Sequence, residues 1–296
     1  MTEIWRILEH TLPAVQSYFY VIAAFLIAER LIPAERGQAV RSRLLSGGCT
    51  LVYFLLTPFA LILPSALAAG VAETTGGSFL TLNLDQIHAG WPLATWALRN
   101  LLLPFLPMLV FDFFYYWHHR LQHIVPALWE QHKLHHMDET LCCLTNLRHH
   151  WLEDAIRVFT ITIPMAFLVT MTPVEGAWIA LFIAQWAVFI HANVRIPLGP
   201  LTPILAGPQL HRIHHSREAR HGNRNFAAFF PVWDIVFGTY YRPKPQEWPA
   251  TGLESGERIT NLWDAVVLPF RGWRRMALRS RALTRPFGPP SPGGRG

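Results

Sequence analysis

Five stretches of this chain, roughly 12–33, 44–69, 95–117, 154–172 and 174–194, each run to about 20 mostly apolar residues, the length a helix needs to cross a bilayer. Inside hydrocarbon every backbone N–H and C=O must be satisfied within the protein, so runs of this kind admit helices or a closed barrel and little else. These runs are continuous rather than alternating, which predicts helices. Composition supports the membrane class: 51% of residues are hydrophobic and only 15% charged. The twelve tryptophans suit a protein with two membrane interfaces. Pro58 and Pro64 interrupt the second run, and Pro104 and Pro107 the third. The last two runs, joined by MTPVEG with Pro173 and Gly176, read as a helical hairpin. The expected fold class is all-α: a polytopic membrane bundle of about four to five membrane helices, carrying a histidine-rich helical region on the cytosolic side.

Loop charge sets the expected orientation, because lysine and arginine collect on the cytosolic side. Loop 34–43 carries Arg36, Arg41 and Arg43, whereas loop 70–94 has only Glu73 and Asp85. The segments after 117 and after 194 are basic again. One topology satisfies all of them: N-terminus outside, 34–43 inside, 70–94 outside, then 118–153 and 195–296 inside. The start, MTEIWRILEH, lacks the basic character and cleavage pattern of a secretory signal, so the first run reads as a retained anchor. Three cysteines, Cys49, Cys142 and Cys143, offer neither a disulfide framework nor a CxxC pattern, which suits a reducing compartment. Residues 271–296 hold seven arginines and no acid, and read either as a solvated tail or as a contact for anionic headgroups. They carry no folded nucleic-acid motif, so no nucleic-acid partner is expected. The chain divides into N-terminal membrane helices over 1–100, a histidine-bearing region over 101–241, and a cytosolic basic Pro/Arg/Gly-rich tail over 242–296.

Twelve of the 15 histidines fall between His118 and His215, in the strings HHRLQH, HKLHH, RHHWLE, HAN and HRIHH. Residues three and four apart share one face of a helix. The spacing thus predicts that His119 and His123 point together, that His132, His135 and His136 converge on one point, and that His211, His214 and His215 do the same. His118 sits one residue away from the better-facing pair. Eight to ten imidazoles exceed the four ligands of one zinc site, and two metals with four or five each would use them. Nitrogen ligation suits iron, copper, zinc or nickel, and disfavours magnesium and calcium. His150 and His191 are further ligand candidates, while His10, His88 and His221 read as surface or hydrogen-bonding residues.

These strings together resemble the fatty acid hydroxylase superfamily, also called the sterol desaturase family. The resemblance covers roughly Leu101 to Tyr241. It runs through FDFFYYWHHRLQH, with Asp112 before the first pair, then WEQHKLHH, the R-x-H-x-x-E string of Arg148, His150 and Glu153, HAN at 191–193, HRIHH, NRNF from Asn223 to Phe226, and WDIVFGTY at 233–240. Trp151 stands where the family often has proline, Phe226-Ala227 where it often has Tyr-Gly, and Arg195 where some members have another histidine. The resemblance implies a di-iron centre that activates O2 as co-substrate, held by His119, His123, His132, His135, His136, His150, His191, His211, His214 and His215. No catalytic residue is expected beyond these ligands. Asp112, Asn193, Asn223, Asn225 and Asp234 are expected to orient imidazole N–H groups from outside.

The expected function is O2-dependent hydroxylation of a lipid-like substrate, whether sterol, fatty acyl chain, polar lipid or carotenoid, with desaturation on the same scaffold as the alternative. No haem motif, ferredoxin cysteine set or GxGxxG is present, which implies a separate electron donor of ferredoxin or cytochrome type with its reductase. Arg120, Lys133, Arg212 and Arg217 are candidates to dock an acidic donor. A membrane zinc hydrolase would want a carboxylate at H-E-x-x-H spacing, and neither HKLHH nor HRIHH has one. A metal transporter would want its ligands near mid-span, and here they cluster to one side.

Overall fold

A computed structural model describes residues 2–74, 80–81, 90–170 and 173–283. The described chain is α-helical in eleven segments: α1 (Thr2–Leu31), α2 (Val40–Thr74), α3 (Pro92–Ala97), α4 (Phe105–Ile124), α5 (Pro126–His136), α6 (Glu153–Arg157), α7 (Ile163–Leu168), α8 (Pro173–His191), α9 (Pro208–His214), α10 (Val232–Val236) and α11 (Leu262–Leu283). The only extended pairing of more than one residue among the described residues is a parallel pair, Leu80–Thr81 with Val169–Thr170.

Helices stand in all five apolar stretches, but among the described residues only α2, over Val40–Val71, is by itself long and apolar enough to cross a membrane. The third and fourth stretches are broken by a change of helix type. Leu98–Leu102 and Val158–Thr162 are π-helical, and the amide of Leu103 bonds the carbonyl of Leu98, five residues back. Pro104 and Pro164, which carry no N–H, stand just beyond, so the ladder resets where an α bond is missing.

The long helices bury one face and expose an apolar other. On α1, Tyr18, Val21, Ile22, Phe25 and Leu26 pack against Val188, Ala192 and Val194 at the end of α8, while Phe19, Tyr20, Ile27 and Leu31 stay exposed. On α2, Leu51, Phe54, Leu55, Phe59, Ile62, Leu63 and Leu67 are exposed. Exposed apolar side chains on this scale are foreign to a surface that meets water.

Beneath the long helices lie the short ones. α5 and α9 are built alike: each begins with proline at its first turn, after an extended residue, and ends on an HH pair. A single residue, Val125, separates α4 from α5. Residues 242–283, expected to open a basic cytosolic tail, pack back on the rest of the protein. Ile259, Ala265 and Leu268 share a core with Cys49 of α2, Leu134 of α5 and Met137 just after it. α11 therefore continues as ordered helix through Leu283, well into the arginine-rich stretch.

Candidate metal centre

The convergence expected within each HxxHH does not occur as read; each string is divided between two groups. The ligand nitrogens of His119, His123, His132, His136 and His214 lie within 4.8 Å of one another, and so do those of His135, His191, His211 and His215. In α5, His132 and His136 join the first group and His135 the second; around α9, His211 and His215 join the second group and His214 the first. Adjacent residues on a helix point about 100° apart, so neighbouring histidines face different centres while i and i+4 share one. The HH doublet is what lets one short helix serve two groups.

The ring nitrogens are oriented for lone pairs to meet. A carbonyl oxygen can only accept, so a ring nitrogen bonded to one carries the proton and leaves the other nitrogen free to ligate. His119 Nδ1 donates to Phe226 O at 2.8 Å, His214 Nδ1 to Arg224 O at 2.8 Å, and His191 Nδ1 to Ala187 O at 2.6 Å. The Nε2 atoms of His119, His132 and His214 are buried without a partner. In the second group Nε2 faces Nε2: His191 to His135 at 3.1 Å, His211 to His191 at 2.9 Å, and His215 to His211 at 3.1 Å. In the first group His123 Nε2 meets His136 Nε2 at 3.1 Å. Two ligand nitrogens at right angles on one ion, each about 2.1 Å from it, stand about 3.0 Å apart; a tetrahedral pair stands about 3.4 Å apart. The donor set therefore fits two metal ions whose close ligand pairs meet near right angles.

Burial, reinforced by the other imidazoles, holds His119, His123, His135, His136, His211 and His215 well below the ordinary histidine pKa, and His214 down to about 3. They are neutral near pH 7, the state that ligates. Aromatic rings wall the first group: Trp129 lies 5.1 Å from His123, Phe226 5.6 Å from His119, and Tyr115 5.4 Å from His119.

His150 lies outside both groups, its Nε2 donating to Val266 O of α11 at 3.0 Å. Its neighbour His149 stacks on His135 at 4.4 Å and 15° and sits 3.0 Å from Glu153. Glu153 also stands 3.6 Å from His132 Nδ1. Burial raises the pKa of its carboxyl, but His149 and His132 outweigh that and hold it well below the usual range. His118 turns to Thr160 Oγ1 at 2.8 Å. His221 bonds Ser216 and Glu247, as a structural histidine would. The side chain of His10 and all of His88 lie outside the described residues.

None of the five polar residues expected to orient imidazoles touches one among the described residues; they act one step further out. Asp112 accepts the backbone amides of Ala228, Phe229 and Phe230, and Asp234 those of Phe226 and Ala227. Together they fix the loop whose Phe226 carbonyl receives His119. Asn223 and Asn225 adopt left-handed φ of 56° and 59°, and Asn225 accepts the amide of Tyr241, so the loop turns with the Arg224 carbonyl toward His214. Asn193 instead bonds the backbone of Glu35 in both directions, through its amide group.

That contact exposes a support absent from the sequence reading. Buried Glu29 of α1 accepts the amides of Cys143 at 2.7 Å and Asn193 at 2.9 Å, and pairs with Arg43 at 2.9 Å. Glu35 pairs with buried Arg212 of α9 at 2.6 Å. Residues 29–43 thereby clamp the turn after His191 and the helix that carries His211. Arg212 and Lys133, expected to meet a donor protein, are buried and paired, Lys133 with Glu130 and Glu257. Arg217 remains exposed and Arg120 half-buried.

The fatty acid hydroxylase family profile matches residues 104–239, which hold all nine histidines of the two all-histidine groups. Over that segment, a little under half of the chain, the sequence matches the fatty acid hydroxylase family. Ornithine lipid hydroxylase OlsE of Rhizobium tropici is 29% identical over 236 residues, covering 76% of this chain and 66% of its own. Alkylglycerol monooxygenase of Xenopus tropicalis is 31% identical over 230 residues, covering 77% and 47%. A Delta(7)-sterol 5(6)-desaturase of Gibberella zeae is 30% identical over 140 residues, covering 46% and 37%. The chain thus spans less than two thirds of the length of these curated relatives. No solved structure matches it. The matched segment supplies the histidines, and α1, α2 and α11 add supports from outside it.

Proposed function

We propose that this chain is a membrane-embedded, O2-dependent di-iron hydroxylase of a lipid-like substrate. The observation that carries the proposal is the pair of buried groups of neutral imidazoles with facing nitrogens about 3 Å apart. His119, His123, His132, His136 and His214 would hold one iron, and His135, His191, His211 and His215 the other. Bound there, the two irons would supply the reduction of O2 that inserts one oxygen atom into an unactivated C–H bond and releases the other as water. The residues of the chain do the rest: they hold the imidazoles in a fixed tautomer, keep them neutral, and surround them with aromatic rings that exclude water.

A polar lipid is the favoured substrate class, because the relatives that match most of this chain are named for ornithine lipids and alkylglycerols. Two electrons per turnover come from a separate ferredoxin or cytochrome with its reductase. Exposed Arg217, near the end of the α9 string, is the basic residue best placed to meet such a donor. Iron analysis of protein purified under iron-replete conditions gives two irons per chain, and lipid mass spectrometry of a host with and without the gene shows a product gaining one oxygen atom. A product lacking two hydrogens assigns the desaturase alternative; a single tight zinc with O2-independent activity overturns the reading.

The exposed apolar faces of α1 and α2 support a bilayer around the long helices, with the histidines, α11 and the C-terminus on the cytosolic side. A reporter fused after Gly296 behaves as cytosolic and one inserted in loop 70–94 as external; the reverse result inverts the topology.

Glu153 serves by position. Its carboxylate is held by Arg157 and His149 while it faces His132 Nδ1. Glu153→Ala lowers iron affinity by about 10–100-fold with the chain still folded, measured by competition with a chelator. Unchanged affinity removes Glu153 from the support of the site.

A further inference from the structure

Helix α11 lies beyond the family segment, and its two sides differ. The inner side is fixed to the body of the protein. Ala265 and Leu268 are buried in the core with Cys49, Leu134 and Met137. Trp273 Nε1 donates to Ala127 O at 2.7 Å, and Gly272 lies so close to Glu130 that a Cβ would collide with it. The outer side carries Trp263, Val267, Phe270, Arg274 and Leu278, spaced by four, three, four and four residues. That spacing is one continuous stripe along a helix. Trp263 is 65% exposed, Phe270 44% and Leu278 53%, so the stripe faces away from the protein. Arg271 flanks it, Arg275 and Arg279 stand further round the helix, and all three are exposed. Arg274 and Arg279 make no ion pair among the described residues.

The depth of this helix is set by α2. Leu262, at the start of α11, packs on Gly48, where a Cβ would come within 2.7 Å of its side chain. Gly48 stands four residues inside the apolar run that begins at 44, which is about 6 Å along a helix axis. A helix lying in the interface plane buries its apolar face about 5–10 Å into the boundary between headgroups and acyl chains. The α2 contact therefore holds the first turn of α11 at the level such a helix occupies.

We infer that α11 is an interfacial helix that docks its Trp263–Val267–Phe270–Leu278 stripe into an anionic lipid surface, with Arg271, Arg274, Arg275 and Arg279 among the headgroups. The inference rests on the bilayer reading of α2 and not on the chemistry of the histidines. The partner is a membrane rather than an acidic protein because the stripe sets four apolar groups around a single arginine, with further arginines off it, at the depth where acyl chains meet headgroups. The arginines continue past the helix, with seven and no acid over 271–296. The docked helix bears on the site: its inner side holds α5, which carries His132, His135 and His136, and its Val266 carbonyl receives His150.

The test places one nitroxide at a time on the full-length protein, at Trp263→Cys, Phe270→Cys, Leu278→Cys, Arg275→Cys, or Phe59→Cys in α2. The native cysteines are buried and stay unlabelled. The protein is reconstituted in phosphatidylcholine vesicles with and without phosphatidylglycerol, and each label is read for its accessibility to oxygen against an aqueous nickel complex. Labels at 263, 270 and 278 favour oxygen several-fold more than the label at 275, and more so with phosphatidylglycerol. R274Q and R279Q each lower that preference in the anionic vesicles, by up to about fivefold in partitioning. If 263, 270 and 278 read as aqueous while 59 reads as immersed, the inference fails alone; if 59 is aqueous too, the bilayer reading fails with it. Dipolar broadening between copies would make the stripe a contact between chains and overturn the inference. Indifference to phosphatidylglycerol and to both arginine substitutions would overturn its anionic component.

Discussion

His136→Ala and His215→Ala each abolish turnover and lower bound iron, by more than the roughly 10–100-fold expected for losing an outer hydrogen-bonding partner. The two residues stack ring on ring at 4.4 Å and 18°, yet belong to different groups. His136→Ala empties a position in the five-histidine group and His215→Ala one in the four-histidine group. Iron quantification then shows which ion is lost in each, and product analysis shows that neither alone suffices. His135→Ala and His214→Ala exchange the roles, since each doublet is split between the groups. Membrane insertion is unaffected because the apolar runs are untouched. His191→Ala lowers iron in the second group, whereas His150→Ala, which loses a bond to Val266, leaves iron content near normal. Full activity in His136→Ala or His215→Ala would dismantle the two-group assignment.

Arg148→Ala destabilises the protein by about 3–5 kcal/mol, because it leaves Asp138 buried without its cation. Asp138 follows the HH doublet of α5 closely and is fully buried. It faces Arg148 at 3.3 Å and accepts from Ser46 of α2, Thr145 and Thr140. Burial alone would raise the pKa of its carboxyl, but Arg148 and these donors hold it below the ordinary aspartate range. The pair thus ties the end of the histidine helix to a long apolar helix. Thermal unfolding in detergent measures the loss. A double variant, Asp138→Asn with Arg148→Met, recovers part of it, because it removes the buried charge as well as its partner. A loss below about 1 kcal/mol in Arg148→Ala would mean that the neutral donors alone keep the carboxylate satisfied.

The histidine strings were legible because helix periodicity is local. His119 with His123, and His132 with His136, are i and i+4 pairs, and the structure puts each pair in one group. The division of the doublets followed from the same periodicity, since adjacent side chains diverge by about 100°, but the convergent reading of HxxHH overlooked it. His149 and His150 could not be separated this way, because both follow a 3-10 turn ending at Leu147 and precede the next helix, where no period applies. The orienting acceptors were illegible for another reason. They are main-chain carbonyls of Phe226 and Arg224, and any residue type supplies a carbonyl. What the sequence did mark there was the asparagines and aspartates that shape the loop. The helix α11 was hidden by its arginines and by Pro269, which together resemble a disordered tail; the stripe from Trp263 to Leu278 emerges only once the inner face is known.

Glu29 reaches three points of the chain that are made at very different times. Arg43 follows it by fourteen residues, Cys143 by 114 and Asn193 by 164. During synthesis the carboxylate finds its cation almost at once, but both amides that finish its coordination emerge much later. A chain that folds as it is made leaves this clasp open until the turn after His191 has emerged. Both histidine groups take ligands made after that turn, His214 in the first and His211 and His215 in the second, so neither is complete before the helices that carry Glu29 and Arg43 have been made.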